Sequence, residues 1–283
     1  MANHAEPQFA TYPDLKDEVV FLTGIGQSGD AALTIWGNGA SIARLMAYQG
    51  AKVFGCDVNL DAAQRVQKRI QDLVQGADIT VTQADVTRDA DVKSAVKECI
   101  EKYGRVDVLV NNVGRSEPGE PATMSEETWD AQTDINLKSA YLTSHHILPL
   151  LSAQSSGGSV INISSIAGLR YIGKPQVAYS AAKAGVIQLT KATAVIYADK
   201  GVRLNVVVPG LMHTPLVTVL AEKYAGGDLE GFVNKRHRAA PLGRMGGGDD
   251  VGMAVGFLAS AQSRYITGQK IVVDGGITSA TRE

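Results

Sequence analysis

Short apolar runs alternate along this chain with longer stretches in which apolar residues recur every three or four positions. The runs lie at 19–23, 52–57, 79–83, 106–111, 159–164, 203–208 and 270–273. Their length and continuous apolar character predict strands buried on both faces. Between them, helical periodicity marks 40–49, 60–74, 90–102, 125–151, 177–199 and 249–261. Strand alternating with helix predicts an α/β fold: a doubly wound, seven-stranded parallel sheet of Rossmann type, with helices on both faces. Residues 1–16 read as an N-terminal arm, and 17–283 as one dinucleotide-binding catalytic domain. About 211–248, after the sixth strand, reads as one long irregular stretch. Ligands in such sheets bind beyond the carboxyl ends of the strands, so this stretch is the candidate substrate loop.

The turn after the first strand is where a nucleotide would be met. A literal GxGxxG runs from Gly24 to Gly29, but the fingerprint must open directly into a helix and be followed by an acidic residue at the end of the second strand. Residues 30–36 are soon broken by Gly37-Asn38-Gly39, whereas Gly39 leads straight into ASIARLMAYQ, and Asp57 follows 18 residues later. The phosphate-approach residues are therefore Gly24, Gly37 and Gly39, with Asn38 between the last two. Small residues there let backbone N–H groups and the helix N-terminus approach a pyrophosphate. Asp57 is suited to accept from both adenosine ribose hydroxyls, and its charge would repel a 2′-phosphate. Trp36 precedes Gly37, and Val58 and Asn59 follow Asp57, so no basic clamp stands nearby. The expected cofactor is NAD rather than NADP.

A second pattern carries chemistry. Tyr179 and Lys183 stand four apart in an Ala-rich helical stretch, which puts a phenol and an ammonium on one face. A cation within reach favours phenolate and lowers a phenol pKa from its usual value of about 10, so Tyr179 could exchange protons with an alcohol. Composition narrows the partners. With 29 acidic and 27 basic residues, the net charge of −2 gives no global field for nucleic acid or anionic membrane, which leaves small molecules. The two cysteines, Cys56 and Cys99, indicate neither a disulfide framework nor a metal site. His145 and His146 diverge by about 100° on a helix and lack a third ligand nearby, so no metal is expected. The N-terminal sequence has no basic segment leading into an apolar core, and no apolar window approaches a membrane span; the expectation is a soluble, cytoplasmic protein.

Several ordered motifs resemble those of the short-chain dehydrogenase/reductases. They are Thr23-Gly24 with Gly37-Asn38-Gly39, Ala84-Asp85-Val86, Asn111-Asn112-Val113-Gly114, Asn136, Ser164-Ser165, Tyr179 with Lys183, Pro209-Gly210 with Thr214, and Val273-Asp274-Gly275-Gly276. The resemblance covers nearly the whole chain. It implies that Asp85 and Val86 border the adenine, that Asn111 and Gly114 form a turn close to the cofactor, and that Pro209, Gly210 and Thr214 hold the nicotinamide carboxamide. It further implies a catalytic set of Asn136, Ser165, Tyr179 and Lys183. Ser165 would donate to the substrate oxygen and Tyr179 would act as general acid or base. Lys183 would keep the Tyr179 pKa low and bind the nicotinamide ribose, while Asn136 would complete a proton relay. Ser165 is preferred over Ser164 because it stands three before Gly168.

The expected activity is hydride transfer between NAD(H) and a secondary alcohol or ketone. The alternatives are an NAD-sensing or interaction protein on the same fold, or a same-fold enzyme with a non-redox primary reaction. A homotetramer, with 125–151 and 177–199 at interfaces, is implied by the resemblance. The chain departs from the family pattern twice. Twelve residues separate Gly24 from Gly37 where three are usual, and 32–36 reads either as a flap over the cofactor or a rim on the substrate cleft, or as part of a bulged surface loop. Ser165 and Tyr179 are 14 apart, one more than usual, with the extra residue assigned to the loop after Gly168. In 216–240, apolar Leu216, Leu220, Tyr224 and Phe232 accompany a basic run from Lys235 to Arg238. That run could grip an anion, but reads first as a solvated face.

Overall fold

A computed structural model describes residues 9–27 and 35–281. Its strands are β1 (Val19–Thr23), β2 (Lys52–Asp57), β3 (Ile79–Gln83), β4 (Val108–Asn111), β5 (Gly158–Ile163), β6 (Val202–Pro209), β7 (Met212–His213), β8 (Gly246–Gly247) and β9 (Lys270–Val273). The helices are α1 (Asn38–Tyr48), α2 (Leu60–Leu73), α3 (Asp89–Tyr103), α4 (Glu126–Thr133), α5 (Ser139–Ala153), α6 (Val177–Tyr197), α7 (Leu216–Ala225), α8 (Leu229–Ala239) and α9 (Gly248–Ala259). Seven strands form one parallel sheet in the order β3-β2-β1-β4-β5-β6-β9. This is the predicted Rossmann-type architecture. The strand order reverses between β1 and β4, which opens a crevice at their carboxyl ends.

The continuous apolar strands are continuous because both faces are covered. Along β1, Val20 and Leu22 pack with Ile42, Leu45 and Met46 of α1 and Val255 of α9. Val19 and Phe21 point the other way, into a cluster with Phe54, Val92 and Val96 of α3 and Ile147 and Leu151 of α5. Phe21 and Phe54 stack with ring centroids 5.6 Å apart and are fully buried, each contributing roughly 1.5–3 kcal/mol of transfer free energy. Both cysteines lie inside this layer, where burial pushes their thiols up to about 12. The described part of the N-terminal arm is packed down as well: Leu15 is buried, Phe9 and Tyr12 lie against the core, and Asp14 accepts from Ala261 N–H at 2.7 Å.

Two sequence expectations need correction. The stretch 125–151 is not one regular helix: Asp134–Lys138 is a π-helical turn between α4 and α5. Nor is 211–248 irregular, since it contains α7 and α8 and the short parallel pairing of β7 with β8. Val217 and Ala221 of α7 close on Phe232 of α8, with Leu220 and Tyr224 beside them, in a small cluster separate from the main core. The helical periodicity was present in Leu216, Val217, Leu220, Ala221 and Tyr224. Gly226-Gly227 cuts it short, and both glycines have positive φ.

Candidate active site

The carboxyl ends of β1 and β4 are fastened together by Asn112. Its Nδ2 donates to the carbonyls of Thr23 (3.2 Å) and Gly24 (2.9 Å), and its backbone N–H donates to Thr23 Oγ1 (3.1 Å). α1 starts directly against this junction. A Cβ on Gly39 would stand 2.1 Å from the Gly24 carbonyl oxygen and 2.7 Å from Asn112 Nδ2, so only glycine brings the helix N-terminus this close. Asn38 Oδ1 is buried with no hydrogen-bond partner among the described residues, and Asn38 lines the adjoining cavity. Asp57 turns its carboxylate back to the same turn, with Oδ2 accepting from Gly26 N–H at 2.8 Å and Oδ1 from Asn59 N–H at 3.0 Å.

The enlarged turn is closed at its base by Gln27, whose Oε1 accepts from Gly37 N–H (2.9 Å) and whose Nε2 donates to the Ile35 carbonyl (3.2 Å). Trp36 is buried, with the Arg69 guanidinium 3.5 Å and that of Arg44 4.5 Å from its ring. It joins the α1–α9 core layer and does not line the cavity. Of the postulated flap, only Ile35 and Trp36 are described; the remainder, 32–34, lies outside the described residues.

α6 supplies Tyr179 and Lys183 one turn apart. Lys183 is only 3% exposed, its Nζ donates to the Ile163 carbonyl at 3.0 Å, and it lies 5.9 Å from the centroid of the Tyr179 ring. Burial in this apolar seam pushes the ammonium down to about 8. Burial raises the Tyr179 phenol above the usual value, and the neighbouring Ser165 hydroxyl opposes that rise without cancelling it. The sequence expectation had Lys183 holding the phenol low. In the structure desolvation is the largest influence on both groups, and it disfavours the charged form of each.

The serine pair divides its labour. Both serines line the cavity, but Ser164 Oγ is spent on the Lys183 carbonyl at 2.7 Å, whereas Ser165 Oγ accepts from Ala167 N–H at 3.2 Å. Glycine is required at 168, because a Cβ there would stand 2.7 Å from the carbonyl carbon of Lys183.

Asn136 sits in the π-helical turn, a local widening that often marks functional sites. Its Nδ2 donates to the carbonyls of Arg115 and Gln132, both at 2.9 Å, and its Oδ1 accepts from Arg115 N–H at 3.0 Å. Gly114 lies between this amide and Lys183: a Cβ there would stand 2.7 Å from Lys183 Nζ and 2.9 Å from Asn136 Oδ1.

The cavity, about 770 Å³, is lined by Asn38, Gly114, Ser165, Tyr179, Lys183, Pro209, Gly210 and Thr214. Gly210 is tied to β9 through its N–H and the Val273 carbonyl at 2.8 Å. Asp57, Asp85 and Val86 lie at or just beyond the carboxyl ends of β2 and β3. Asp85 accepts from Thr87 N–H (3.0 Å) and Oγ1 (2.7 Å). The side chain of Asn111 points into the protein, where it accepts from Thr143 Oγ1 at 2.5 Å and donates to Asn162 Oδ1 at 2.8 Å, so its backbone is the part that stands at the turn. Its neighbour Asn112 lines the cavity instead, and the adjacent identical residues left the sequence no signal to separate them. His146 Nε2 lies 2.7 Å from Asp89 Oδ1, which ties α5 to α3.

These features recur in known proteins. The family model described as enoyl-(acyl carrier protein) reductase matches residues 32–278. The 3-oxoacyl-(acyl-carrier-protein) reductase of Thermotoga maritima is 36% identical, the match covering 93% of this chain and 98% of that protein. The cyclohexanol dehydrogenase of an Acinetobacter species is also 36% identical, over 93% of this chain and 96% of its own. Among solved structures, a short-chain dehydrogenase/reductase from Burkholderia xenovorans superposes with a TM-score of 0.88 at 40% identity, covering 95% of this chain and 99% of its own. The chain belongs to the short-chain dehydrogenase/reductase family.

This short-chain dehydrogenase/reductase is therefore an oxidoreductase that works with a nicotinamide cofactor on a small molecule. Its residues fit such a cofactor. The Gly24–Gly39 contact leaves the α1 N-terminus open, Asn38 Oδ1 is buried without a partner, and Gly114 leaves beside Lys183 a hollow that a Cβ would fill. No described helix is long and apolar enough to cross a membrane.

Proposed function

We propose that the enzyme interconverts a secondary alcohol and a ketone with NAD(H), using Tyr179 as general acid and base. The observation that carries this reading is that Ser165 and Tyr179 line one cavity, with the buried Lys183 one helical turn from Tyr179. Cyclohexanol and 3-oxoacyl groups, for which two of the relatives are named, are an alcohol and a ketone consistent with it.

When bound, the nicotinamide cofactor supplies or accepts the hydride. During reduction, negative charge grows on the substrate oxygen, where Ser165 donates a hydrogen bond and Tyr179 gives up its phenolic proton. In oxidation Tyr179 takes the hydroxyl proton. Lys183 stabilises the phenolate electrostatically and binds the nicotinamide ribose, while Asn136, its amide fixed by Arg115 and Gln132, orders the path by which Lys183 exchanges protons. Gly24, Gly37, Asn38 and Gly39 receive the pyrophosphate and Asp85 and Val86 the adenine. Gly114 and the backbone of Asn111 let the cofactor lie close; Pro209, Gly210 and Thr214 hold the carboxamide.

Asp57 selects NAD, because a carboxylate at the end of β2 accepts from ribose hydroxyls and repels a 2′-phosphate. Initial rates across a panel of secondary alcohols should favour NAD over NADP by at least about tenfold in kcat/KM, on the order of 1.4 kcal/mol. Asp57→Ala should shrink that preference. Faster turnover with NADP would refute the assignment, and the absence of stoichiometric NADH formation with every alcohol would refute the redox reading.

α5 and α6 expose Tyr141, Val195 and Ile196, the last two at 77% and 63%. We assign these faces to a cytoplasmic homotetramer. Light scattering should give four times the chain mass of 29.9 kDa; a monomer would overturn the assembly, and cell fractionation checks the location.

A further inference from the structure

The cavity wall that contains Tyr179 also carries Lys174, from the loop before α6, and Lys235, Arg236 and Arg238 of α8. Lys235 and Arg238 are exposed and form a solvated rim. Lys174 and Arg236 are partly buried, and their surroundings are apolar. Lys174 Nζ lies 4.0 Å from the centroid of the Tyr224 ring and 5.3 Å from that of Phe232, and the Arg236 guanidinium lies 5.0 Å from the Phe232 ring. The polar contact of Arg236 among the described residues is to a thioether, Nε to Met245 Sδ at 3.3 Å. The ion pairs nearby are Arg115 and Lys223 with Glu117, and Arg244 with Asp250; neither Lys174 nor Arg236 has a carboxylate partner among the described residues. Asp228 also lines the cavity, but its Oδ1 caps α8 by accepting from Gly231 N–H at 2.9 Å. Tyr224 OH is buried on the same wall with no hydrogen-bond partner among the described residues.

Two cations and a hydroxyl that have given up water for aromatic rings and a sulfur are a costly arrangement for a neutral ligand. They keep most of their donors free: a guanidinium has five N–H groups and an ammonium three. Burial, helped by the charges of Arg236 and Lys235, pushes Lys174 down to about 8, and burial pushes Arg236 down to about 10, so an arriving negative charge would relieve both. The protein as a whole is slightly acidic, so this positive field is local to the cavity.

We infer that the substrate is an anionic ketone or alcohol, whose carboxylate or phosphate is gripped by Arg236, Lys174 and the Tyr224 hydroxyl while its carbonyl or carbinol carbon faces Tyr179. The inference rests on the alcohol–ketone reading given above. It replaces the sequence reading of the basic run as a merely solvated face, which holds for the rim residues alone.

The test is steady-state kinetics on straight-chain ketones whose terminal group, two to six bonds from the carbonyl, is a carboxylate, a phosphate monoester or a methyl ester. For at least one length the charged compound should exceed its ester in kcat/KM by about 10- to 100-fold, the range of one or two charge-assisted hydrogen bonds. Whichever acid leads identifies the group. Lys174→Met and Arg236→Gln should each cut the acid-to-ester ratio about tenfold, and Arg236→Lys should restore part of it. Equal turnover of acids and esters at every length, or a ratio unmoved in both variants, overturns the inference while leaving the alcohol–ketone reading intact. Calorimetric binding of the same acids keeps the two apart. Binding that weakens in Arg236→Gln but is followed by no turnover sustains the anion site and removes the redox reading; acids that neither bind more tightly than their esters nor lose affinity in the variants overturn the anion site.

Discussion

Tyr179→Phe should lower turnover by about 10²- to 10⁴-fold, the range of a positioned general acid–base, while leaving cofactor affinity and thermal stability nearly unchanged. The substitution removes one hydroxyl from a half-buried ring and keeps the ring's packing. What is lost is the proton that travels to the substrate oxygen. The wild-type pH profile carries a second signature. Burial raises the Tyr179 phenol above its ordinary value, so across neutral pH it is protonated and ready for reduction, whereas oxidation needs the phenolate. Alcohol oxidation should therefore climb with pH into the alkaline range while ketone reduction stays level through neutrality and then falls. Stopped assays in both directions, in buffers of constant ionic strength, measure the two profiles. Oxidation that is fastest at pH 6, or a Phe variant of wild-type activity, would remove Tyr179 from its role.

The difference between what the chain reveals as a string and what only the fold reveals follows from the range of the interactions. β1, β2, β3 and β9 begin and end at the predicted residues because strands covered on both faces leave continuous apolar runs. Gly39 was legible too, since its close approach to Gly24 fixes both a residue type and a spacing. The choice of Ser165 rested on its distance from Gly168, and the fold gives the physical reason: Ser164 is consumed by the Lys183 carbonyl. Other features depend on partners far away in sequence. The π-helical turn at Asn136 leaves no trace in apolar periodicity, and the orientation of Asn111 is decided by Thr143 and Asn162 on neighbouring elements. Lys174 gave no signal at all. It stands in an irregular loop, and its importance arises only because α7 and α8 bring Tyr224 and Phe232 beneath it. The Tyr179 pKa shows the same limit, because i,i+4 spacing reports proximity to a cation but not the desolvation of both groups.

That desolvation makes Lys183 the residue whose removal should separate stability from activity. It is 3% exposed, and burial brings its ammonium from 10.5 down to about 8. The native state thus disfavours the charged form. Between pH 8 and 10.5 the unfolded chain binds more protons than the native one, so stability rises with pH across that window. Below pH 8 both states are charged and the penalty is felt in full, with an upper bound of about 3 kcal/mol from the shift. Lys183→Met keeps a long side chain and removes the charge, but leaves the Ile163 carbonyl without its donor at a cost of about 1 kcal/mol. The net expectation at pH 7 is a gain of about 1–2 kcal/mol in denaturant unfolding, together with a loss of turnover of about 10²-fold or more. The gain should fade as the pH rises through 10.5, above which the wild-type lysine is neutral in both states. A protein gives up stability at a residue where its chemistry needs a buried charge. If Lys183→Met were less stable at pH 7, the ammonium would be held by more than its bond to Ile163; if it stayed active, Tyr179 would not need the cation.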